Sequence, residues 1–86
     1  MSYLEGHENS GLKVGDIVKV TRKSESNERG WSNSWIKDMN KFIGKECKII
    51  LDNNDRGFRL ELNGEQWNFP CFVLSNRYLK IKKILE

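Results

Sequence analysis

The sequence predicts a mainly β domain: a small, strongly bent β-barrel of about five strands. It carries one short helix in the loop after the first strand and a short 3₁₀ turn before the last. Three observations lead there. Short β-branched or alternating runs recur between clusters of turn residues. Two of these runs are joined by Asn63-Gly64, a pair suited to a type I′ hairpin turn, in which both central residues need positive φ. The chain has 86 residues, 37% of them hydrophobic, which is enough for one small core, so a few short strands must curl to remove their exposed edges.

Residues 1–12 show no apolar period and read as a mobile N-terminal tail, leaving 13–86 as a single domain. Val14-Gly15-Asp16 is a turn into the strand 17–22, with Val18 and Val20 facing inward and Lys19 and Thr21 outward. The polar stretch 23–30 is a loop. Ser32, Asn33 and Ser34 then offer N-caps for a short helix. Trp35, Met39, Phe42 and Ile43 recur at helical spacing up to Gly44, which stops it.

The second half reads as strands. Cys47, Ile49 and Leu51 share one face of the strand 47–51, and 52–57 is a turn by composition. The runs 58–62 and 65–69 flank Asn63-Gly64. A two-residue turn there pairs Leu62 with Glu65, Leu60 with Trp67, Phe58 with Phe69, and Arg59 with Asn68 on the wet face. Pro70 ends this strand because it cannot donate to the ladder. Residues 71–74 make the short 3₁₀ turn, and the alternation at 78–82 gives the last strand.

Composition narrows the chemistry. There is one histidine, two cysteines and no C-x-x-C spacing, so His7, Cys47 and Cys71 do not form a zinc set, and no metal is expected. His7 has no serine or cysteine nucleophile arranged about it. Asp52 and Asp55 are turn formers rather than a sugar-cleaving pair, and no glycine-rich phosphate cradle is present. No enzyme and no cofactor are expected. No apolar run approaches the roughly 20 residues of a membrane span, and the polar N-terminus is not a signal peptide, so the expected location is the cytoplasm, without a membrane partner.

The segments Gly15-Asp16-Ile17-Val18-Lys19-Val20, Ile43-Gly44-Lys45-Glu46-Cys47-Lys48-Ile49 and Trp67-Asn68-Phe69-Pro70-Cys71-Phe72-Val73-Leu74 together resemble an SH3-like small barrel. The resemblance runs over about residues 13–75. It is similar to the short barrel proteins encoded by bacteriophages, and more distantly to the KOW-type barrels of ribosomal and transcription proteins. The chain departs from the KOW type in its long stretch between Arg22 and Gly44, and in Cys47, where a glycine is usual. It also lacks the tyrosine-rich surface and acidic loop of proline-peptide-binding SH3 domains.

Two functional readings follow. The first is a non-catalytic binding module, a small accessory or regulatory factor that recognises another protein through the long loop and helix at 23–43. Long loops in compact domains are usually functional. Its candidate residues are Arg29, Trp31 and Trp35. Trp31 has no periodic partner, so it either stands exposed as an anchor beside Arg29 or folds back over the barrel. Trp35 caps the barrel end, and Trp67 belongs to the core. The second reading uses the two basic segments that hold the net charge of +3: Lys19, Arg22 and Lys23, and Lys80, Lys82 and Lys83. If the first and last strands pair, these meet on one side as a stripe for a nucleic-acid backbone; otherwise they are ordinary solvated strand faces.

Overall fold

A computed structural model describes residues 3–76. Five antiparallel strands form one open sheet in the order β4-β3-β2-β1-β5. They are β1 (Ile17–Val20), β2 (Glu46–Asp52), β3 (Phe58–Leu62), β4 (Glu65–Phe69) and β5 (Leu74–Asn76). Val18 and Val20 of β1 are fully buried, as the alternation requires, and lie with Cys47, Ile49, Phe58, Leu60, Phe69 and Val73. The expected hairpin register is present pair for pair, from Leu62 opposite Glu65 to Phe58 opposite Phe69. Asn63 and Gly64 sit at φ 51° and 84°, as a type I′ turn demands. The expected 3₁₀ turn before the last strand is also present, at Cys71–Val73.

Four expectations need correction. The segment 1–12, read as a tail, contains a seven-residue helix, α1 (Tyr3–Asn9), whose Tyr3 and His7 are buried. One turn apart, both side chains face the same way and clasp the sheet. The His7 ring stacks on Phe58 at 4.0 Å, and its Nε2 lies 2.7 Å from Asp52 Oδ1. The Tyr3 hydroxyl accepts the Cys71 N–H at 2.9 Å and stands 3.1 Å from His7 Nδ1. Burial pushes the Tyr3 hydroxyl well above the usual phenol range, so it keeps its proton.

The helix expected from Ser32 is instead a 3₁₀ helix over Lys37–Phe42. The backbone at the expected cap is already engaged elsewhere. Ser32 donates its N–H to the Asp55 carbonyl, and the Asn33 carbonyl accepts from Asn27, so this stretch is tied to the neighbouring loops. Trp35, Met39 and Phe42 are buried as the spacing predicts, whereas Ile43 lies past the helix and is partly exposed.

Leu51 is the third correction, 41% exposed instead of inward. The β2–β3 register slips between Ile49 and Leu51, and such a bulge turns every later side chain to the other face. The fourth is the last strand. β5 begins at Leu74, within the segment expected to be turn, and pairs with β1 through Lys19 opposite Ser75. The expected strand at 78–82 lies outside the described residues. Among the described residues no helix is long and apolar enough to cross a membrane.

Candidate functional site

The long loop between β1 and β2 is organised around Glu28. Its carboxylate accepts from both Arg22 Nη atoms (2.9 and 3.3 Å), the Glu25 N–H (3.1 Å) and the buried Ser24 hydroxyl (3.3 Å). These bonds, that of Arg22 first, hold its pKa down at about 2 instead of the ordinary 4.5. Folding lowers this pKa, so the carboxylate's contribution to stability is complete above pH 4.5 and is lost as pH falls towards 2. Titration by NMR is expected to place Glu28 near 2 in the wild type and closer to 4.5 in Arg22→Gln. A wild-type midpoint at 4.5 would show that the hub does not form in solution.

Asn27, Arg29 and Gly30 all take positive φ, at 61°, 54° and 82°. This run of left-handed residues turns the chain sharply enough to drive Trp31 inward, where it is wholly buried and its Nε1–H donates to the Arg56 carbonyl. Trp31 therefore folds back over the sheet and is no exposed anchor. Trp35 is buried too, edge-on to Phe69 at 5.4 Å, with its Nε1–H on Asn40 Oδ1 at 2.7 Å. Of the three residues expected to contact a partner, only Arg29 stands at the surface. Its guanidinium lies over the Phe72 ring at 5.1 Å, and that of Arg22 lies over the same ring at 5.3 Å.

The basic stripe is assembled only in part. Lys19 lies on β1 opposite Glu46, Arg22 is paired with Glu28, and Lys23 is exposed. Lys80, Lys82 and Lys83 lie outside the described residues. Cys47 and Cys71 are free thiols, both raised in pKa by burial. Among the described residues no three of His, Cys, Asp or Glu come together as metal ligands.

A cleft of about 350 Å³ opens between the loop and the hairpin, lined by Asn33, Ser34, Ile36 and Met39 on one side and Arg59, Gln66, Trp67 and Asn68 on the other. Arg59 pairs with Asn68, so these two and Gln66 share a face of the hairpin, whereas Trp67 belongs to the opposite face with Phe69. A cavity touching both faces must wrap round an edge, and β4 is the edge strand. Trp67, expected in the core, is only half-buried and forms the wall here, with its Nε1–H enclosed and unpartnered among the described residues. The Lys41–Glu65 ion pair ties the 3₁₀ helix to the start of β4 beside it. Sequence reasoning missed this cleft because its residues come from two segments read separately, as caps and as a wet strand face.

No family model, curated protein or solved structure matches the chain.

Proposed function

We propose that this chain is a non-catalytic binding module that captures an extended segment of another protein between its long loop and the edge of β4. The observation that carries the reading is the cleft itself, in which exposed Ile36 and the flanks of Met39 and Trp67 offer apolar contact beside three amides and a guanidinium. That mixture, an apolar wall with a few directed polar groups, is what peptide and ligand sites present. Strand addition to an open sheet edge is a recurrent way of holding an extended peptide.

The scaffold is read as an SH3-like barrel of the phage-encoded kind, acting as a small accessory factor. Supporting it are the strand order, the long loop directly after β1 and the 3₁₀ turn before β5. A nucleic-acid reading finds some support in the two guanidinium groups over Phe72, but Glu28 already neutralises one of them.

Selection of a random peptide display library on the immobilised protein tests the proposal. The enriched peptides are expected to lose about tenfold or more in affinity on Ile36→Glu, equivalent to about 1.4 kcal/mol, and to be unaffected by Arg29→Ala. Enrichment of nothing above background, or of binders indifferent to Ile36→Glu, overturns it. So does salt-sensitive retention on single-stranded DNA that Arg22→Gln and Arg29→Gln abolish, which would put nucleic acid in the protein's place.

A further inference from the structure

We infer that the segment held in this cleft carries an acidic side chain, and that Arg59 receives its carboxylate. The inference rests on the reading of the cleft as a peptide site and names what that site selects. Among the described residues that line the cleft, Arg59 alone is charged. Two other basic side chains around the loop already have carboxylates: Arg22 is paired with Glu28, and Lys41 with Glu65. The Arg59 side chain has neither an ion pair nor a hydrogen bond among the described residues, although the residue is half-buried. Glu61, two residues along on the same face, is exposed and lies outside the cleft lining. A guanidinium in that position presents a fork of donors matched to a carboxylate.

The rest of the lining agrees with an acceptor as ligand. Asn68 Oδ1 already accepts from Asn53 Nδ2 at 2.7 Å, so what Asn68 has left to offer is its own N–H pair. In the same wall the Trp67 Nε1–H is enclosed without a partner among the described residues. Donors thus outnumber free acceptors. The apolar flanks of Ile36, Met39 and Trp67 also shield a charge pair from solvent more than an open surface would.

The edge of β4 explains why the carboxylate comes from a side chain rather than a chain end. In a two-residue hairpin the pairs Leu62–Glu65, Leu60–Trp67 and Phe58–Phe69 exchange the ladder bonds, so the backbone groups of Gln66 and Asn68 point outward. An extended segment running past them alternates its side chains. Residues on one face meet Arg59, Gln66 and Asn68, and their neighbours meet Trp67 and Met39. The selected pattern is therefore an acidic residue flanked by apolar ones.

Two pools of N-acetylated, C-amidated heptapeptides test this, with Glu or Gln fixed at the centre and the other six positions randomised. The readout is the Trp67 indole N–H signal in ¹H–¹⁵N spectra, identified by its loss in Trp67→Phe. The Glu pool is expected to shift this signal and to saturate it at about one-tenth the concentration of the Gln pool. In Arg59→Gln the two pools should saturate together. Because the Glu-to-Gln exchange is made in the peptide, the comparison holds on wild type whatever Arg59→Gln does to folding. Equal saturation by both pools on wild type overturns the acidic preference and leaves the peptide cleft standing. No shift with these pools or with a third that has a free C-terminal carboxylate overturns both. Binding only by a third pool with a free C-terminal carboxylate assigns Arg59 to chain ends and overturns the side-chain proposal.

Discussion

Trp31→Ala is expected to cost about 3–5 kcal/mol, the range for emptying a fully buried tryptophan site. A domain of 86 residues has only about 4–13 kcal/mol of stability at the usual value per residue, so the loss is a large share of it. The size of the effect has two sources. The indole fills the space between the long loop and the sheet, and its N–H is bonded to the Arg56 carbonyl. Trp31→Phe separates them by keeping most of the volume while leaving that carbonyl unpaired, at a cost of about 1–3 kcal/mol. Urea denaturation should order the midpoints as wild type, then Phe, then Ala. An alanine variant with the wild-type midpoint would mean that Trp31 stands at the surface in solution.

Gly57→Ala is expected to be comparably severe, at about 3 kcal/mol or more. A Cβ built there would lie 2.2 Å from the Phe69 carbonyl oxygen and 2.7 Å from its carbon, both backbone atoms that cannot rotate away. Its φ of 108° adds strain for any residue with a side chain. Gly64 supplies the comparison: it also has positive φ, at 84°, but nothing lies within 4 Å of the added atom. Gly64→Ala should therefore cost about 1–2 kcal/mol from conformation alone. The difference between the two variants combines the close approach of the turn to the end of β4 with the more demanding dihedrals of Gly57, at φ 108° and ψ −159°. Equal losses would show that this approach does not exist.

How far the sequence could be read depended on whether a segment answers to its own period or to a remote partner. The β3–β4 hairpin was legible to the residue pair, because Asn63-Gly64 sets the register locally and the alternation repeats it. β1 was legible through Val18 and Val20, but the slip in β2 was not, since a bulge leaves no mark in a run as apolar as Ile49-Ile50-Leu51. Trp31 has no period to follow; its place depends on the Asn27, Arg29 and Gly30 dihedrals and on Arg56, 25 residues away. Of those three only the glycine announced itself. The binding cleft was hidden in the same way. Arg59, Gln66 and Asn68 look like an ordinary solvated strand face until the loop comes to lie beside them. The interval between Tyr3 and His7 was a helical signal in α1, but two aromatic rings among polar residues are too few to stand out.

The docking of α1 constrains when the molecule can be completed as it leaves the ribosome. Seven residues cannot hold a helix by themselves in water. The contacts that dock its Tyr3 and His7 side chains on the sheet come much later in the chain: Asp52, Phe58, and Cys71 with its N–H on the Tyr3 hydroxyl, 68 residues downstream. Among the described residues, those made earliest are thus among the last to be secured. Until Cys71 has emerged, the nascent sheet leaves the Phe58 ring without the imidazole that covers it. A newly made chain passes through a stage in which the Phe58 ring lacks the His7 cover it has in the finished protein.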